Sequence, residues 1–261
     1  MGQVTAPSGL DPRQLLRQRV PMFPIRDHNP SERTPYVTYT LIGLNVVIFL
    51  SYVGLFNDSR ALFQFYDNWA LIPARNDLYG YVTSMFLHGG WMHLLGNMLF
   101  LWIFGDNLED EMSHLGFMTF YLASGVAAGF AHVISDPTST IPTVGASGAI
   151  AGVMGGYLLL FPKAKVDILF IFVIFFRIFP IPAWVMLGVW FGLQLLNGAA
   201  ADGGAGVAYW AHAGGFGIGL VLALPAWLRR GAADYWKRTE GHPPHPEAQY
   251  SRSRIPRIGR R

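Results

Sequence analysis

The stretch Gly145-Ala146-Ser147-Gly148-Ala149-Ile150-Ala151-Gly152-Val153-Met154-Gly155-Gly156-Tyr157-Leu158-Leu159-Leu160-Phe161 decides the fold. It is apolar throughout, rich in glycine and leucine, and carries a serine at its head. A second stretch opens Ala211-His212-Ala213-Gly214-Gly215 and stays apolar to Leu228. An ionisable side chain inside such a run is costly in lipid, which makes His212 a candidate functional residue. A serine facing it is a candidate nucleophile beside its base. The pairing points to hydrolysis within a membrane.

The surrounding composition agrees. Apolar residues make up 52% of the chain and charged residues 13%, about half the charged share of a soluble domain. Between residues 37 and 228 the only basic side chains are Arg60, Arg75, Lys163, Lys165 and Arg177. The remaining Lys and Arg lie in the two tails, a topology signal and not a nucleic-acid patch. No cysteine is present, which excludes disulfides and thiolate metal sites. No cleavable signal peptide is expected, since no early apolar run with a small-residue cleavage site occurs.

The expected class is all-α, a polytopic membrane bundle. Six spans are read at about 36–55, 91–108, 115–134, 145–161, 181–197 and 207–228. Three regions follow: a basic cytoplasmic tail over 1–36 with a short basic helix near 12–20, a six-helix domain over 37–228, and a basic, disordered tail over 229–261. Val166 to Phe176 is apolar but falls well short of the roughly 20 residues a span needs. It is expected along or dipping into the cytoplasmic interface. Two basic tails place both termini in the cytoplasm, which requires an even number of spans. The expected location is the bacterial plasma membrane.

With that topology Ser147 and His212 both lie less than roughly 10 Å below the outer surface, at 1.5 Å per residue. Gly148, Gly152 and Gly156 repeat at i+4, and Gly215 and Gly219 share a face with His212. Such small-residue rows let membrane helices approach closely. A third element is His88-Gly89-Gly90-Trp91-Met92-His93-Leu94-Leu95-Gly96-Asn97. His93 and Asn97 share one helical face and are candidate donors to an oxyanion. Taken singly, each has a plainer reading: Ser147 back-bonding to a carbonyl, Asn97 bonding a neighbouring helix, His93 at headgroup level. A metal site of His88, His93 and His212, with His132 as a looser fourth member, is the weaker reading. No HExxH motif occurs, and no intramembrane carboxylate stands near to act as base.

Four ordered strings resemble the rhomboid family of intramembrane serine proteases: His88-x4-His93-x3-Asn97, Gly105-x3-Glu109, Gly145-Ala146-Ser147-Gly148 and Ala211-His212-x-Gly214-Gly215-x3-Gly219. The resemblance, to the basic six-span form found in bacteria, covers roughly residues 37 to 228. It implies Ser147 as nucleophile, His212 as general base, and an oxyanion hole of His93, Asn97 and the Ser147 amide. It implies Glu109 as a structural anchor, and no metal or cofactor. Its partners would be membrane-protein substrates within the lipid bilayer. Two departures stand out. Tyr79-Gly80 occupies the place of the Trp-Arg pair common in the family's first loop. Ala151 stands where many members place an aromatic residue to stack on the histidine. A catalytically silent adaptor or chaperone is one alternative, opposed by the intact Ser147 and His212. A small-solute transporter is another, opposed by the lack of an internal repeat.

Overall fold

The computed structural model describes residues 22–29, 31–172, 175–200 and 208–244. The basic helix expected near 12–20, the loop at 201–207 and the tail beyond 244 lie outside the described residues. The chain is mostly helical. Strand β1, Met22–Asp27, precedes α1, Tyr36–Tyr52. A long connection holds α2, Ser59–Trp69, and a single turn, Gly80–Thr83. Then follow α3, Trp91–Met112, α4, His114–Ser135, and α5, Ser147–Leu160. Strands β2, Lys165–Phe172, and β3, Phe175–Pro182, lead into α6, Ala183–Ala200, α7, Tyr209–Arg229, and α8, Ala233–Thr239.

Helices occupy all six stretches read as spans. Four of them are long and apolar enough to cross a membrane: Tyr36–Asn57 (α1 with its following turn), α4, α6 and α7. Helix α3 carries Asp106, Glu109, Asp110 and Glu111 near its end, and α5 has only 14 residues. The outward faces of α1, α3, α6 and α7 are apolar, with Leu50, Trp102, Val189, Leu196 and Val221 all exposed. An exterior of this kind suits lipid, where a soluble monomer would show only scattered apolar side chains. Helix α5 is the opposite case. Ala149 through Tyr157 are all buried, because neighbours close around it.

Three sequence expectations are corrected. Val166 to Phe176 is not an unpaired segment: it belongs to the β2–β3 hairpin, and the fold is therefore not all-α. β1, from the presumed tail, pairs antiparallel with β2 to give the sheet order β1-β2-β3. The physical cause is a β-branched and aromatic run too short to span, whose inner edge finds a partner strand from a distant segment. Pro180 and Pro182 sit on edge strand β3, where a missing N–H costs no ladder bond, and α6 starts only at Ala183. Beyond Leu228 the chain forms α8, with Tyr235 buried and the Trp236 indole donating to Leu159 O at 2.9 Å. Residues 233–239 are thus packed on the helical body.

Buried polar fasteners hold the end of the bundle away from Ser147. The Glu109 carboxylate accepts from the Val37 and Thr38 amides at 2.9 and 2.8 Å and from the Thr38 hydroxyl at 2.8 Å. Those amides belong to the first turn of α1, which has no intrahelical acceptor for them. A carboxylate from α3 therefore caps α1. Asp27, at the end of β1, accepts from Asn107 Nδ2 at 2.9 Å and the Tyr157 hydroxyl at 3.0 Å, joining the sheet to α3 and α5.

Burial, reinforced by the neighbouring Asp106, pushes the Asp27 carboxyl up from an ordinary 3.8 to about 8. The folded chain then binds a proton that the unfolded chain releases near pH 4. This stabilisation is complete below about pH 4 and is lost as pH rises through 8. We expect chemical denaturation in detergent to show stability falling across that window. Asp27→Asn should lessen the fall; an unchanged slope would remove Asp27 as a source of it.

Candidate active site

Helices α5 and α7 run together because neither has side chains in the way. A Cβ on Gly215 would collide with the Gly148 carbonyl, and one on Gly219 with the Gly152 carbonyl. On α5 it is Gly155 that meets the backbone of α7 at Phe216. The i+4 row of Gly148, Gly152 and Gly156 instead faces Ala128, Ser124 and Phe120 of α4. The row read from the sequence thus serves a second neighbour, and α5 is wedged between two helices.

This approach brings Ser147, at the first turn of α5, against His212, in the first turn of α7. The Ser147 Oγ to His212 Nε2 distance is 2.8 Å. On the far side of the imidazole, Nδ1 lies 2.9 Å from Gln194 Oε1 of α6. The Trp190 ring, one turn earlier on α6, stands 5.9 Å from the His212 ring at 32°. Ala151 is fully buried and offers no ring. The aromatic neighbour of His212 therefore comes from α6 and not from α5. The sequence reading missed both residues. The available signal was Gln194, an amide set in a helix otherwise apolar from Ala183 to Leu196.

Ordinary steric constraints place His93 next. Gly145 has φ of +133°, a conformation open to glycine, and a Cβ there would lie 2.8 Å from His93 Nε2. His93 Nδ1 accepts from the Gly89 amide at 3.2 Å. In the neutral ring the proton then sits on Nε2, the nitrogen facing Gly145 and the start of α5. Asn97 is buried, and its Nδ2 has no hydrogen-bond partner among the described residues. Ser147, His212, His93, Asn97, His132 and Trp190 all line one cavity of about 850 Å³.

His88 is fully buried just outside this group, its ring 5.1 Å from that of His93. The Tyr52 and Tyr66 hydroxyls bond its carbonyl at 2.9 and 3.0 Å. His132 bonds Thr143 Oγ1 at 2.8 Å, and Glu109 lies at the opposite end of α3, paired with His114. Among the described residues no three His, Asp or Glu side chains are grouped to hold a metal. Tyr79-Gly80 does not leave the first loop loose. Gly80 packs on Ala70 and Leu71, Thr83 Oγ1 donates to Trp69 O at 2.6 Å, and Tyr81 stacks on Phe130 at 4.3 Å. The loop also pairs Leu71 with Thr143, just before Gly145.

Comparison with known proteins adds the ancestry. The family model for the rhomboid domain matches residues 75–229. The chain is 31% identical over 183 residues to the mitochondrial rhomboid protein 1 of Saccharomyces cerevisiae, covering 65% of this chain and 46% of that protein. It is 32% identical over 126 residues to the rhomboid protease GluP of Bacillus subtilis, covering 48% and 24%. It is 30% identical over 135 residues to the mitochondrial presenilin-associated rhomboid-like protein A of Danio rerio, covering 49% and 35%. The matches span less than half the length of these relatives. With the apolar helices they make this an integral membrane protein; mitochondrial and bacterial relatives alike leave the choice of membrane open.

The α5–α7 contact yields a direct test. Gly215→Ala must push α7 off the Gly148 carbonyl, whereas Gly217→Ala on the same helix meets nothing within 4 Å. Gly215→Ala should cost about 1–3 kcal/mol, as overpacking does, and should abolish labelling of Ser147 by a fluorophosphonate. Gly217→Ala should do neither. Equal behaviour of the two variants would argue against backbone contact as the organising feature.

Proposed function

The chain belongs to the rhomboid family, and on that premise we propose that it is an intramembrane serine endopeptidase. Its substrates are membrane proteins, cut within or beside a membrane-spanning segment. The observation that carries this reading is the 2.8 Å contact between Ser147 Oγ and His212 Nε2 on the wall of the cavity. All six helices α1 and α3–α7 cross the bilayer in this reading. Both tails face the cytoplasm, and the site opens toward the outer side.

The chemistry is acyl transfer. His212 Nε2 accepts the Ser147 proton as Oγ attacks the peptide carbonyl carbon. The oxyanion that forms is held by the Ser147 amide at the start of α5, by His93 Nε2–H and by Asn97 Nδ2. His212 then gives its proton to the departing amine, leaving an ester on Ser147. Water attacks that ester while His212 takes its proton, and His212 then returns the proton to Ser147 Oγ as the ester bond breaks and the second product leaves as a carboxylic acid. The unpartnered, buried Asn97 amide supports its part, since such a donor is costly unless an acceptor reaches it. No cofactor is needed for any step.

Ser147→Ala and His212→Ala should each abolish cleavage and fluorophosphonate labelling while keeping the native melting temperature, because the pair acts as a unit. His93→Ala and Asn97→Ala should slow turnover by about 10- to 1,000-fold. Labelling of the Ser147→Ala chain equal to the native one would sink the assignment, and a native chain that never labels would favour a silent helix-binding relative. For the topology, a cysteine at Ser59 should react with an impermeant thiol reagent in intact cells and one at Ser253 should not. Reaction at Ser253 would mean an odd number of spans.

A further inference from the structure

We propose that Gln194 is a positioning residue for His212, holding the imidazole in the tautomer that leaves Nε2 free to accept the Ser147 proton. The inference rests on the protease reading of Ser147 and His212 and adds a third member to their machinery. Gln194 is nearly buried in α6, a helix otherwise apolar between Ala183 and Leu196. A side-chain amide at that depth is expensive unless it is satisfied. It is satisfied on both sides: Oε1 faces His212 Nδ1 at 2.9 Å, and Nε2 reaches back to the Trp190 carbonyl at 3.5 Å. The backbone carbonyl can only accept, so the amide nitrogen belongs on that side and the oxygen on the histidine side.

An oxygen at Nδ1 requires a proton there. The neutral ring then carries its lone pair on Nε2, which is the nitrogen against Ser147. Trp190 and Gln194 are four residues apart and share one face of α6. Together they give the imidazole a flat neighbour and a hydrogen-bond acceptor from the same helix. This arrangement takes over the task that Ala151 is too small to perform. A carboxylate in the same place would also stabilise the imidazolium formed during proton transfer. A neutral amide fixes orientation without putting a second charge among apolar helices, so its contribution is positional and moderate.

The test uses the full chain in detergent, as native protein and as Gln194→Met, Gln194→Glu and Ser147→Ala. Gln194→Met keeps length and apolarity but offers no oxygen. It should lower kcat and the rate of fluorophosphonate labelling by about 10–100-fold, the usual loss when a histidine's orienting partner is removed, with KM and melting temperature close to native. Gln194→Glu presents an acceptor oxygen and should recover most of the loss. Nitrogen NMR of histidine-labelled protein should show His212 protonated at Nδ1 in the native and Gln194→Glu chains, and mixed between the ring nitrogens in Gln194→Met. Native kcat in Gln194→Met, or equal losses in both variants with lowered melting temperatures, would overturn the proposal. So would an unchanged His212 spectrum in Gln194→Met, even if Ser147 labels normally, and the protease reading would then stand alone. If no chain labels or cleaves but the His212 tautomer still follows residue 194, the positioning holds and the protease reading fails.

Discussion

Everything around Ser147 and His212 depends on how closely α5 and α7 approach. Their backbones touch, with glycine Cα groups on one helix set against carbonyl oxygens of the other. In lipid there is no hydrophobic gain from bringing two apolar helices together, so such close packing supplies the attraction. It also sets the geometry of the site. Ser147 and His212 are short side chains on different helices. They reach hydrogen-bond distance only because no bulkier side chain separates their backbones. Helix α4 adds the other half of the constraint, since Ala128 and Ser124 press on Gly148 and Gly152.

The two ends of the bundle use polar groups differently. At the end away from Ser147 the carboxyl groups are fasteners. Glu109 caps α1 from α3, and Asp27 ties the small sheet to α3 and α5. Each of their oxygens is answered by a donor, as buried polar groups require. At the Ser147 end Asn97 Nδ2 has no partner among the described residues at the wall of a cavity.

Two histidines near the same serine are set to opposite tasks by their second nitrogens. His93 receives the Gly89 amide on Nδ1 and so presents a proton at Nε2. His212 faces an amide oxygen on Nδ1 and so presents a lone pair at Nε2. The same side chain becomes a donor in one place and an acceptor in the other, with no change of charge. The difference lies in one backbone N–H and one glutamine oxygen, supplied by a loop and by α6.

Hydropathy and charge placement located the six long apolar helices but not α2 or α8, since burial in lipid leaves long apolar runs that any window reveals, while short polar helices leave none. Ser147, His212, His93 and Asn97 stood out for the complementary reason: polar groups are conspicuous in apolar sequence because they are costly there. Three features were decided only in three dimensions. The sheet depends on pairing between β1 and β2, more than a hundred residues apart, and neither strand looked like one without the other. The division of the α5 glycines between α4 and α7 depends on helix rotation, which i+4 spacing leaves open. The support of His212 passes from α5 to Trp190 and Gln194 of α6 because α6 lies against α7, a neighbour relation that no local pattern encodes. Composition and periodicity report what each segment must bury; which segment buries it is settled by packing.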